Sequence, residues 1–228
     1  GILCEFSGTV RDAFIRRGHH AVSCDLLPSE KPGPHIQGDC LAQDWSGFDL
    51  LICHPPCTYP CSMGIWWNHK RPERWAMTEA AAEFFMQMWR LSVDRIAIEN
   101  PIGTMSTRFR RPDQVINPWQ FGHEANKPTC LWLRNLTPLV PTKIVDKGRF
   151  YTKSNGSRMS AWSHATSGTR KAERAAIASR TFPGIAEAMA AVAAEPLEQR
   201  LDGVEALADA DAHPLVPRFL AGAELLRQ

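Results

Sequence analysis

The sequence predicts an α/β protein built on a mainly parallel sheet with helices on both faces. Short apolar runs alternate with amphipathic runs through the first two-thirds of the chain, as strands joined by helical crossovers do. Two of these runs end in loops rich in reactive side chains and proline, His54-Pro55-Pro56-Cys57 and Glu99-Asn100-Pro101. At 228 residues the chain can bury one substantial core without a second independent domain.

Residues 2–6 read as the first strand, with Ser7 and Gly8 as its turn. A helix follows over residues 10–17, with Val10, Ala13, Phe14 and Arg17 at helical spacing and Gly18 to end it. Residues 20–26 form a second strand, and a short segment through Pro34 and Ile36 closes at Asp39. The next strand covers residues 48–53, and residues 75–91 are the longest predicted helix. Further strands fall at 96–98 and 129–133, the latter after a turn-like stretch at 122–128. Residues 141–179 turn polar, basic and aperiodic, and predict a loop-rich insert. A helix returns over 182–194, with Ile185, Met189 and Val192 on a buried face, and an acidic, alanine-rich helical tail occupies 195–228.

The bulk numbers exclude some functions. Against 26 basic residues stand 24 acidic ones, so a polyanion would be held by a local patch and not by a global field. Seven scattered cysteines with no secretory leader before them predict reduced thiols in a cytoplasm. No run reaches the roughly 20 apolar residues of a membrane span.

Three positions predict a nucleoside-binding edge at the carboxyl side of the sheet. Gly8 would let backbone amides at a helix N-terminus approach a ligand. Asp25 would accept from ribose hydroxyls, and Asp39 would receive an adenine amino group. Taken alone, a glycine in a turn is most often structural and a strand-end Asp most often a cap; their order is the stronger signal.

Cys57 has three readings: an idle thiol, one corner of a metal cluster with Cys53, Cys61 and His54, or a nucleophile. As a nucleophile it needs its thiolate fraction raised, a task for which His69, Lys70 and Arg71 are the nearby basic residues, with His54 as a further tuning group. Glu99 is either a solvated strand-end acid or a buried one, and burial would raise its pKa and let it carry a proton to a ring nitrogen. A cysteine that attacks and an acid that protonates together suit addition across the 5,6 double bond of a pyrimidine. Trp66 and Trp67 belong to the core or stack on a base near the nucleophile loop.

With these motifs the chain resembles the cytosine-5 DNA methyltransferase family, in its compact phage and prophage form. The resemblance runs over residues 2–194 through Phe6-Ser7-Gly8, Asp25, Asp39, Pro55-Pro56-Cys57, Glu99-Asn100-Pro101 and Thr181-Phe182-Pro183. It implies a Rossmann-like S-adenosylmethionine-dependent fold and a catalytic domain over 1–194. Cys57, Glu99 and Asn100 would be its catalytic residues, and Phe6, Ser7, Gly8, Asp25, Asp39, Pro55 and Thr181 would surround the cofactor. The partner would be duplex DNA with a flipped cytosine, in a bacterial cytoplasm, with no metal and no membrane. The chain departs from the family in two places. Where the family supplies a glutamine and two arginines for the flipped base, residues 120–131 offer Lys127 and Thr129. Its recognition segment shrinks to residues 141–179, where Arg149, Lys153 and Arg158 would grip phosphates and allow low or short specificity. These departures admit the same chemistry on RNA or a free nucleotide, and a silent methyltransferase-like binding protein.

Overall fold

Among the residues described by the computed structural model, 1–154, 156–167 and 176–194, residues 1–194 gather into one unit around a seven-stranded sheet. Its strands are β1 (Ile2–Leu3), β2 (Ser23–Asp25), β3 (His35–Gln37), β4 (Leu50–Cys53), β5 (Arg95–Pro101), β6 (Gln114–Ile116) and β7 (Thr129–Arg134). They lie in the order β3-β2-β1-β4-β5-β7-β6. The ladders from β3 to β5 are parallel, and β7 runs antiparallel to both β5 and β6. This is the Rossmann-like, mainly parallel α/β fold that the sequence predicts. The chain builds outward from β1 to β3 on one side, then resumes with β4 on the other. The point where strand order reverses therefore lies between β1 and β4, where open α/β sheets bind ligands beyond their strand ends.

The sheet is buried on both faces, with successive side chains alternating between them. Ile2, Ile52, Ala97 and Leu131 point to the face covered by α1 (Thr9–Arg16) and the last described helix (Pro183–Ala194), which contribute Val10, Phe14, Ile185 and Met189. Leu3, Leu51, Ile96, Ile98 and Trp132 point to the other face, where Phe85 and Met88 of the helix Trp75–Trp89 pack. The shared register of β4 and β5, Leu51 beside Ile96 and Cys53 beside Ile98, brings their loops to the same sheet edge.

In chain order the helices are α1, α2 (Ser62–Lys70), α3 (Trp75–Trp89), α4 (Met105–Arg108), α5 (Ala161–Ser167) and α6 (Pro183–Ala194). Several predicted bounds shift. The first strand stops at Leu3 because Cys4 turns to a positive φ of 56°, and β2 begins only at Ser23. In α1 the polar residue on the buried face is Arg11, whereas Arg17 is exposed. Helices α2 and α4 and strand β6 were not predicted. The insert, expected as loop, contains an antiparallel hairpin, β8 (Phe150–Thr152) with β9 (Arg158–Ser160), followed by α5. The tail 195–228 and the basic residues Arg170, Lys171 and Arg174 lie outside the described residues. Among the described residues no helix is long and apolar enough to cross a membrane.

Candidate functional site

The loop after β1 is organised by a residue that sequence reasoning passed over. Glu5, 5% exposed, accepts hydrogen bonds from the Val10 amide at 2.7 Å, the Arg11 amide at 3.3 Å and the Ser7 hydroxyl at 3.1 Å. Ser7 Oγ in turn accepts from the Thr9 amide. The orphan donors at the head of α1 are thus taken by the protein's own side chains. This corrects the expectation that these amides wait for a ligand. Gly8 precedes the helix with φ 68°, and a Cβ there would meet Arg11 Nη2 at 2.5 Å.

Arg11 is fully buried and was also missed, though a basic residue on the apolar stripe between Val10 and Phe14 was the available signal. Its guanidinium donates to Asp12, Ser23, Ser29 and the carbonyls of Lys31 and Pro32. It thereby ties α1, β2 and the loop after β2 together. Phe6 is fixed through its carbonyl, which accepts from the Glu30 amide at 2.8 Å. At the strand ends, Asp25 accepts from the Leu27 amide and Asp39 from the Leu41 amide, both at 2.9 Å and both at exposed bonds. Both carboxylates cap local turns at the carboxyl edge of the sheet.

The loop after β4 converges with the end of β5. Asn100, buried to 2% exposure, donates from Nδ2 to the Pro55 carbonyl at 2.9 Å. His54 Nδ1 lies 3.2 Å from Glu99 Oε2. Further along, Ser62 donates from its amide and hydroxyl to the Ile102 carbonyl, and the Thr104 amide donates to Pro60. A Cβ on Gly103 would fall 2.1 Å from the Pro60 carbonyl oxygen, so only glycine permits the two loops to approach this closely.

Glu99 departs from expectation. Burial pushes its pKa up, but the hydrogen bond from His54, the charges of Lys127 and His54 and a hydrogen bond from Thr129 outweigh it and hold it below the ordinary value. Glu99 is therefore held as the carboxylate, which accepts from His54 Nδ1. Nε2 of His54 is buried without a partner among the described residues.

Cys57 is half-buried, and its thiol is pushed up to about 11 by burial first and then by the negative charge of Glu99. The cation that opposes this is Lys127. The expectation that His69, Lys70 and Arg71 would activate the thiol fails: Lys70 sits over Trp66, Arg71 over Trp67, and His69 packs on Trp75. All seven cysteines are free thiols, and no group of His, Cys, Asp or Glu among the described residues is arranged to hold a metal.

Glu99, Lys127, Thr129, Thr181, Phe182 and Ile185 line one small pocket. Thr181, expected at the cofactor, thus stands with two residues expected at the base. Lys127 donates from Nζ to the Ala178 carbonyl at 2.7 Å, and Thr129 donates to the Lys127 carbonyl at 3.1 Å. Residues on either side connect this pocket to the β1 loop: Arg180 pairs with Glu30, the residue whose amide holds Phe6. Arg149, Lys153 and Arg158 are exposed along the β8–β9 hairpin, with Arg158 stacked on Phe150 at 4.6 Å. The hairpin is anchored beside the pocket by Ser160, whose hydroxyl donates to the Asn126 carbonyl.

No family model and no curated protein matches the chain. Among solved structures it is similar to one from E. coli, provisionally described as a DNA modification methyltransferase encoded within a prophage, at 13% identity and a TM-score of 0.45. The match covers 64% of this chain and 51% of that one, so the chain spans about half the length of that relative.

Proposed function

We propose that the protein methylates carbon 5 of cytosine in DNA with S-adenosylmethionine, through a covalent Cys57 adduct and with low or short sequence specificity. The observation that carries this reading is the convergence of two loops from adjacent strands. Asn100 holds Pro55, His54 meets Glu99, and Glu99 lies close enough to raise the Cys57 thiol. We assign residues 1–194 as the catalytic domain and 141–179 as a reduced recognition segment.

The first loop fits the cofactor. Glu5 fills the head of α1, so a dinucleotide pyrophosphate would meet a carboxylate where it needs free amides. A cofactor that bears a sulfonium and an ammonium group suits that electrostatic setting better. Asp25 would hold the ribose hydroxyls and Asp39 the adenine amino group, with Phe6, Ser7, Gly8, Pro55 and Thr181 around them. When bound, S-adenosylmethionine supplies the methyl group that carbon 5 accepts.

The chain's own residues do the remaining chemistry. Cys57 gives its thiol proton to solvent and Sγ, as thiolate, bonds to carbon 6 while ring nitrogen 3 receives a proton from Glu99, which as a carboxylate before the base binds takes that proton up from solvent. His54 Nδ1, hydrogen-bonded to Glu99 Oε2, orients the carboxyl. Once Glu99 is protonated, one of the causes that raises the Cys57 thiol disappears, so base binding and thiolate formation favour each other. After carbon 5 has taken the methyl group its proton leaves to solvent, the carbon–sulfur bond breaks with its electron pair returning to Cys57, and ring nitrogen 3 returns its proton to Glu99. Asn100 fixes the loop backbone through Pro55, which limits the freedom lost on reaching attack geometry. Lys127 and Thr129 would face the base, and Arg149, Lys153 and Arg158 would take phosphates.

Trapping on DNA that contains 5-fluorocytosine tests this directly, since fluorine cannot leave as the proton does. Wild type with S-adenosylmethionine gives a denaturant-resistant protein–DNA adduct and Cys57→Ala gives none. Intact cofactor binding with no adduct from wild type would refute the reading and leave another acceptor, or a binding protein without turnover.

A further inference from the structure

We propose that the outward face of α2 stacks on unpaired bases of the nucleic-acid strand beside the reacting nucleotide; this rests on the reading that the substrate is nucleic acid. Met63, Trp66, Trp67 and Lys70 are spaced i, i+3, i+4 and i+7, the spacing of the face that a globular helix buries. Here that face points to solvent, with Met63 64%, Trp66 49% and Trp67 41% exposed, while Gly64 and Asn68 face the protein.

The orientation is fixed from beneath. A Cβ on Gly64 would stand 2.4 Å from the carbonyl oxygens of Thr58 and Tyr59, so no larger residue could take its place against that turn. Asn68 Nδ2 donates to Thr78 Oγ1 at 2.7 Å, and Arg74 donates to Asn68 Oδ1 at 3.2 Å. Rolling the helix to bury the tryptophans would orphan buried Asn68 and Thr78. The helix is also bound to the candidate site: Cys61 caps its first turn four residues after Cys57, and Ser62 holds Ile102, which is 49% exposed and extends the apolar surface.

Charge selects the occupant. Lys70 Nζ lies 4.8 Å from the Trp66 ring centroid and the Arg71 guanidinium 5.5 Å from that of Trp67. His69 adds to the basic rim, and Glu73 is the acid within residues 62–75. Aromatic faces for bases with cations for phosphates make a single-strand site. The two indoles are 82° apart with centroids 4.9 Å apart, so they form a corner and not a continuous platform.

The test is binding of a labelled oligothymidylate of about 12 nucleotides, followed by anisotropy, with a 2-aminopurine version to report stacking. Both tryptophans are exposed, and circular dichroism checks that each variant is folded. We expect Trp66→Ala/Trp67→Ala to weaken binding about tenfold and to abolish the 2-aminopurine quenching seen with wild type, and Trp66→Phe/Trp67→Phe to keep most of both. Equal affinity for wild type and the double alanine variant would overturn the proposal. So would tryptophan-dependent self-association without a change in oligonucleotide affinity, which would assign the face to a second copy of the chain. The titration needs no methyl transfer, so it reads this surface whether or not Cys57 forms an adduct.

Discussion

The loops after β1 and β4 leave neighbouring strands at the same edge of the sheet, yet they solve opposite problems. In the first, the buried polar side chains find partners within the protein: Glu5 takes the amides at the head of α1, and Arg11 gathers two hydroxyls and two carbonyls from the next strand and its loop. In the second, the backbone is fastened just as firmly, through Asn100 and the contacts around Gly103, but the reactive atoms are left unsatisfied. Cys57 is held as a thiol, Glu99 as a carboxylate, and His54 Nε2 has no partner among the described residues. A pocket wall needs its polar groups satisfied to stay in place; a reacting group needs one valence free. The contrast separates scaffold from chemistry without reference to any ligand.

Glu99→Gln should produce the largest effect, and in two directions at once. Methyl transfer falls by about 10²–10⁴-fold, the range for loss of a positioned acid–base group. Alkylation of Cys57 by iodoacetamide at pH 8 becomes faster, because removing the carboxylate charge lowers a thiol pKa that stands at about 11 in the folded protein. In wild type the same rate climbs with pH up to about 11, as the thiolate fraction grows. Mass mapping of alkylated Cys57 across pH measures both, and slower alkylation in the variant would dissolve the electrostatic link between the two loops.

Arg11→Met tests the scaffold side. It removes the guanidinium and leaves its hydroxyl and carbonyl partners buried without donors. Breaking such a network costs about 3–5 kcal/mol, which chemical denaturation would read as a lowered midpoint. A loss under about 1 kcal/mol would mean that the first loop does not depend on its own side chains. Asn100→Ala should cost less, about 1–3 kcal/mol for a buried hydrogen bond whose acceptor is orphaned. Its transfer rate should nevertheless fall by more than its stability predicts, because Pro55 is released next to Cys57. Equal losses in stability and rate would reduce Asn100 to a packing residue.

Much of this was legible beforehand for definite reasons. Apolar runs as short as Leu51-Ile52-Cys53 announce strands because a sheet covered on both faces needs apolar residues at consecutive positions. Pro55-Pro56-Cys57 and Glu99-Asn100-Pro101 stood out because each follows such a run. Other features left no local trace. Arg11 looked like one more charge on a helix, and its burial depends on partners 12 to 21 residues away in sequence. Helix α2 carries the apolar spacing of a core helix, yet Gly64 and Asn68 turn that stripe outward through contacts with Thr58, Tyr59 and Thr78.

The sequence by itself determined the alternation of strands and helices, the reactive residues, and the loops that carry them, because periodicity and residue chemistry are local. Only the tertiary structure decided the order of strands, the meeting of His54 with Glu99, the lowered carboxyl and raised thiol, and which face of α2 meets water. Each of these follows from groups distant in sequence, whose charge and burial act through space and not along the chain.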